Sequence, residues 1–132
     1  MRILVVENYR ATSLGLLRGE LAAAGAVVDT RLAFEGEALP EGPADHDAII
    51  VLGGEQNALD DATHPYLPAL AALMRAFGEA GKSVLGICLG SQLLARGYGA
   101  ENILGRPTEF GWQEVTPTEA GLAYYERCLA IL

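Results

Sequence analysis

Short apolar runs alternate with longer amphipathic stretches along most of the chain. Ile3 to Val6 is continuous and β-rich, as a strand buried on both faces would be. Leu14, Leu17, Leu21 and Ala24 then recur at helical spacing, with Thr12 or Ser13 available as a cap and Gly25 as a stop. Ala26 to Leu32 predicts a second strand. Gly36, Pro40, Gly42 and Pro43 make Glu35 to Asp45 a loop. Asp47 to Leu52 predicts a third strand, ending at Gly53-Gly54. Leu67, Leu70, Leu73, Met74 and Phe77 predict a helix over Pro65 to Ala80, stopped by Gly81. Ser83 to Ile87 predicts the next strand and Ser91 to Tyr98 the next helix. Further strands are expected around Ile103 and around Trp112 to Val115. A last helix, opened by Pro117-Thr118-Glu119, carries Leu122, Tyr125, Leu129 and Leu132 on one stripe. This β-α-β alternation predicts an α/β fold: a doubly wound, mainly parallel sheet with helices on both faces. In such sheets ligands bind at the carboxyl ends of strands, which is where Gly53-Gly54 and Cys88 fall.

Composition narrows the picture. A length of 132 residues suits one domain, with no linker, repeat or low-complexity tract, so 1–132 is read as a single domain. The longest apolar runs are about six residues, too short to span a bilayer. The opening run lacks the longer apolar core of a secretory signal, so the expected location is the cytoplasm. A net charge of −8 without a dense basic patch argues against nucleic acid, whose phosphates must be neutralised. Cys88 and Cys128 allow at most one bridge, and no Cys/His cluster suggests a metal; no cofactor is expected.

Chemistry concentrates at Gly86-Ile87-Cys88-Leu89-Gly90. This G-x-C-x-G is the cysteine form of a nucleophile elbow, a sharp strand-to-helix turn in which glycines permit close approach. The helix N-terminus favours the thiolate, and the Leu89 N–H can face an oxyanion. The plain alternative is a buried cysteine between two incidental glycines. Other signals fade in context. Ala76 to Ser83 approximates a phosphate loop, but it follows a helix and opens a strand, the reverse of the required order. Gly97-Tyr98-Gly99 lacks the third glycine of a dinucleotide fingerprint. Asp60 and Asp61 read as residues that cap or start the next helix. Glu109 reads as a solvated loop residue and Cys128 as a buried thiol. Tyr124-Tyr125 reads as core or interface.

The segment Gly86 to Gln92 resembles the nucleophile motif of class I glutamine amidotransferases, closest to the subgroup like the GMP synthetase amidotransferase domain. Arg2 to Glu7, Ile50 to Gly54 with Asp60-Asp61, and Phe110 to Val115 match the family in order. The resemblance implies a flavodoxin-like fold and a glutaminase that attacks glutamine with Cys88, passes through a thioester and delivers ammonia to an acceptor synthase or domain. It implies oxyanion donors at the backbone of Gly54 and Leu89, and substrate contacts from Gln92 and Gly53. Glu55 stands where many relatives have proline.

The resemblance also implies a His-x-Glu segment well after the elbow, which these residues do not contain. His46 and His64 both precede Cys88, His46 beside a strand start and His64 beside a helix start. The chain ends on an apolar run, and the expectation is a C-terminally incomplete domain; the other explanation is a naturally shortened relative. Two other readings stand beside the glutaminase. One is a γ-glutamyl peptide hydrolase or another elbow-cysteine hydrolase. The other is a non-catalytic association domain. Whether the protein forms a homo-oligomer is left open.

Overall fold

The computed structural model describes residues 1–105 and, beyond them, residues 112, 114, 116–120 and 122–123. Strands β1 (Arg2–Glu7), β2 (Val27–Leu32), β3 (Ala48–Val51) and β4 (Ser83–Gly86) form one parallel sheet in the order β2-β1-β3-β4. Helices α1 (Leu17–Ala23), α2 (Leu67–Glu79) and α3 (Leu89–Gly97) connect and flank them.

The period-2 alternation of the strands sorts their residues between two cores. Leu4, Val6, Ile49 and Val51 face α2 and α3, packing with Leu67, Leu70, Met74, Phe77, Leu89 and Leu93. Ile3, Val5, Ile50 and Leu52 face the other way, against Leu14, Leu17 and Leu21. Both faces of β1 and β3 are therefore covered, which is why these two strands read as unbroken apolar runs. Full burial of Phe77 on this scale is worth about 2–3 kcal/mol.

Each helix closes in the same way. The N–H groups of Ala26, Lys82 and Ala100 reach back to the carbonyls of Leu21, Phe77 and Ala95. The turn that permits this needs a left-handed residue, and Gly25, Gly81 and Gly99 supply it with φ of 68°, 71° and 81°. The sequence stops at Gly25 and Gly81 are thus real ends.

Several expectations change. Helix α1 begins at Leu17, and its N-cap is Leu16, without a side-chain cap. Thr12 is instead occupied upstream, where its Oγ1 donates to Tyr9 O at 2.7 Å. Ile103 lies in no strand and is 77% exposed. Trp112 and Glu114 carry no regular structure, and the other residues of the Phe110 to Val115 match fall outside the described residues. Of the last helix, Leu122 N bonds Thr118 O at 2.8 Å; Glu109, Tyr124, Tyr125 and Cys128 are outside the described residues. Among the described residues, no helix is long and apolar enough to cross a membrane.

Candidate active site

Strand register builds the site. Val6, Val51 and Gly86 are aligned across β1, β3 and β4. The residues that follow leave the sheet along one edge: Asn8 after β1, Gly53 after β3 and Cys88 after β4. Cys88 and Gly53 meet there. A Cβ placed on Gly53 would lie 3.4 Å from the Cys88 Cβ.

Cys88 has φ 54° and ψ −111°, the only non-glycine residue with positive φ among the described residues. The Gly90 N–H closes the turn onto Ile87 O at 3.0 Å. Cys88 thus occupies the first central position of a tight turn with type II′ angles, where glycine is ordinarily required. Both flanking glycines are sterically necessary, for different reasons. A Cβ on Gly86 would strike the backbone of Gly90 and Ser91, as the spacing predicts. A Cβ on Gly90 would strike the Val51 carbonyl, so this glycine lets α3 sit down on β3.

The start of α3 leaves one donor free. Gly90 N bonds Ile87 O, while Ser91 N and Gln92 N bond Cys88 O at 2.9 and 3.3 Å. The N–H of Leu89 has no such partner among the described residues, as expected at the first position of a helix. The Leu89 side chain is buried in the core. Gln92 is exposed one turn further on, and its carbonyl accepts from Asn102 Nδ2 at 3.3 Å. Gly54 stands over this turn: a Cβ there would lie 2.8 Å from Leu89 Cδ2.

Cys88 is exposed and borders a cavity of about 410 Å³ together with Gly53, Gly54, Glu55, Tyr9 and Ser13. Glu55 is the one acidic side chain among the described residues that line it. Its carboxylate accepts from the Tyr9 hydroxyl, and this bond raises the Tyr9 pKa above the ordinary phenol value. The acidic residue in the usual proline position is thus engaged at the rim.

Neither histidine borders this cavity. His46 lies before β3, at the opposite end of the sheet, 3% exposed, with Nε2 3.0 Å from Asp29 Oδ2. His64 precedes α2, bonds Thr63 Oγ1 through Nδ1 at 3.0 Å, and packs edge-on against Tyr66. Lys82, from the rejected phosphate-loop pattern, donates to the carbonyls of Pro43 and His46. Among the described residues no group of three or more His, Cys, Asp or Glu gathers to hold a metal ion.

Three groups around the site escape sequence reading. The buried Asn8 donates through Nδ2 to Leu52 O at 2.7 Å. Gln56 Nε2 donates to Asn8 O at 3.1 Å and to Tyr66 Oη at 2.7 Å, and burial raises the Tyr66 pKa. Arg96, in the last turn of α3, pairs with Asp61. Asp61 is therefore tied to α3 and does not cap α2, while Asp60 accepts from Asn57 N within its own turn. The available signals are a polar residue ending an apolar strand, a glutamine beside a glycine loop, and a lone arginine on the elbow helix.

Known proteins are similar to this chain in sequence and fold. The class I glutamine amidotransferase family model matches residues 5–127, so the chain belongs to that family. The glutamine amidotransferase-like protein YfeJ of Salmonella typhimurium is 32% identical over 127 residues, covering 94% of this chain and 53% of that protein. The chain thus spans about half the length of this curated relative. Among solved structures, a glutamine amidotransferase from Thermotoga maritima superposes with a TM-score of 0.69 at 26% identity, over 75% of this chain and 43% of that one. One from Methylobacillus flagellatus gives 0.70 at 28%, over 74% and 39%. The protein SMU.1228c gives 0.72 at 29%, over 76% and 44%. These neighbours bear out the doubly wound, flavodoxin-like fold.

Proposed function

We propose that this chain carries the nucleophile and oxyanion-binding half of a glutamine-hydrolysing site that delivers ammonia to an acceptor. The observation that carries the reading is Cys88 itself: a cysteine held at positive φ, at the head of a helix, where glycine would be less strained. The Cys88 sulfur adds to the side-chain amide carbon of glutamine, and the carbonyl π pair moves onto oxygen. The N–H groups of Gly54 and Leu89 receive that oxyanion, with Gly53 and Gln92 holding the substrate. The proton lost by the thiol passes to the amide nitrogen, ammonia leaves, and a thioester remains. Water then adds to the thioester and releases glutamate. His46 and His64 are placed elsewhere, so the base that moves this proton is assigned to a group outside the described residues.

A chloroketone analogue of glutamine tests the reading without requiring turnover. The expected result is an adduct on Cys88, detected by peptide mass, suppressed by excess glutamine and absent from Cys88→Ala. Labelling that glutamine does not slow would overturn the substrate. Protection by γ-glutamyl peptides but not by glutamine would transfer the site to a peptide hydrolase.

A further inference from the structure

The Gly53-Gly54 loop is flanked on both sides by one hydrogen-bonded ring. Asn8 leaves the carboxyl end of β1 with its side chain 2% exposed. Its Nδ2 donates to Leu52 O, the carbonyl immediately before Gly53, at 2.7 Å. Its own carbonyl accepts from Gln56 Nε2, two residues beyond Gly54, at 3.1 Å. One residue therefore holds both ends of a loop whose centre is two glycines. The second proton of Gln56 Nε2 goes to Tyr66 Oη at 2.7 Å, which ties the ring to the N-cap residue of α2. The Gln56 amide also lies against the loop: a Cβ on Gly54 would be 2.5 Å from Gln56 Oε1.

A Gly-Gly segment has more backbone freedom than any other dipeptide, so it does not fix the direction of its own N–H groups. A donor stabilises a developing oxyanion only if it is already aimed, because reorientation during the reaction cancels the gain. We propose that Asn8 and Gln56 are positioning residues for the oxyanion donor at Gly54. Neither touches the substrate. Their ring fixes the peptide planes between Leu52 and Gln56 against β1 and α2. Tyr66 limits the Gln56 amide to one rotamer by taking its second proton. This inference rests on the glutaminase reading given above.

Two reagents separate positioning from general support. The chloroketone analogue of glutamine reacts through its carbonyl: sulfur adds to the carbonyl carbon and the oxygen becomes an oxyanion; sulfur then shifts to the adjacent methylene carbon as chloride leaves, and the oxyanion re-forms the carbonyl, leaving a thioether. Iodoacetamide alkylates by direct displacement of iodide, and no oxyanion forms. The test variant is Gln56→Met, which keeps the side chain's length and removes both donors. Its chloroketone inactivation rate at saturation is expected to fall about 10- to 100-fold, the range for a displaced donor, with half-saturation and iodoacetamide rate changed less than about threefold. A parallel fall with both reagents would reduce the ring to structural support of Cys88, and unchanged rates with both would remove any role. Tyr66→Phe, which takes away only the outer acceptor, should show the same selective loss in smaller measure and covers a Gln56 variant that does not fold. The outcomes are separable from failure of the glutaminase reading. In that case the unaltered protein itself shows no glutamine-protected labelling, and the positioning proposal falls with it.

Discussion

Arg96 holds Asp61 through two parallel hydrogen bonds, Nη1 to Oδ1 and Nη2 to Oδ2, each 2.7 Å. Nη1 also donates to Ala58 O at 2.6 Å. One guanidinium thus joins the last turn of the elbow helix to the segment that follows the glycine loop. It completes a frame around the site, since Gly97 already packs α3 onto the Ala71 carbonyl of α2. Planar, two-point pairing is the geometry that lysine cannot reproduce.

Arg96→Lys should therefore behave as a loss. It is expected to lower Tm by about 3–6 °C, as the loss of roughly one hydrogen-bonded pair does in a domain of this size. Asp61→Asn, which keeps the shape and one acceptor, should lose less. The double variant should lose little more than Arg96→Lys alone. Thermal unfolding of the four proteins in a double-mutant cycle measures this, and additive losses would mean that the two residues do not act as a pair.

The elbow glycines and the loop glycine next to Cys88 should part company. Gly90→Ala drives a methyl group into the Val51 carbonyl, a backbone atom that cannot swing away. It is expected to cost about 1–3 kcal/mol in urea denaturation, the range of overpacked core positions. Gly86→Ala should cost as much, since its neighbours are also backbone. Gly53→Ala meets Cys88 Cβ at 3.4 Å, an ordinary contact, and should stay within about 1 kcal/mol of the parent. Its penalty should fall on Cys88, measured as slower alkylation by bulky reagents. Equal stability losses at all three positions would contradict this account.

Much of this frame is legible in the sequence because it is local. Buried strands announce themselves as unbroken apolar runs, and the elbow as G-x-C-x-G, since a tight turn compresses its demands into five residues. What stays hidden depends on distance along the chain. Gln56 reaches Asn8 across 48 positions, and Arg96 reaches Asp61 across 35. From sequence alone these polar side chains look like solvated loop or helix faces. Gly90 was legible as a necessary glycine, but not for the reason that operates, because its neighbour lies on β3. The start of α1 misleads in the opposite way. Thr12 has a cap residue's chemistry, yet its hydroxyl closes a turn onto Tyr9 three residues earlier.

The end of the sheet opposite Cys88 should set the acid stability of the protein. Asp29 on β2 gathers His46 Nε2 at 3.0 Å, Arg2 Nη2 at 2.8 Å and Arg31 Nη2 at 3.3 Å on one carboxylate oxygen. The His46 bond first, and then the two arginines, hold its pKa below the ordinary aspartate range against the opposing effect of burial. A carboxyl depressed in the folded state stabilises the fold above its unfolded pKa, about 3.9, and that contribution disappears as pH falls through the lower folded value. Unfolding free energy should therefore decline below about pH 4, and Asp29→Asn should flatten that decline. At neutral pH the same variant is expected to cost about 1–3 kcal/mol, because buried His46 loses a charged acceptor. Urea titrations of both proteins between acid and neutral pH would show it. An unchanged acid slope in Asp29→Asn would move the effect to other carboxylates.

The strain at Cys88 can be measured directly. Its φ of 54° and ψ of −111° suit glycine and oppose any side chain, whatever its chemistry. Cys88→Ala keeps the steric conflict and removes the thiol; Cys88→Gly removes both. The glycine variant is expected to be more stable than the alanine variant by about 1 kcal/mol, despite the larger conformational entropy that glycine gives the unfolded chain. The thiol is exposed and contributes little packing, so the alanine variant should lie close to the parent. Chemical denaturation of the three proteins gives the order. A glycine variant less stable than the alanine variant would mean that the turn relaxes in solution, and the strained cysteine would no longer support a nucleophile assignment. The expected order would show that Cys88 costs stability at a position that borders the cavity.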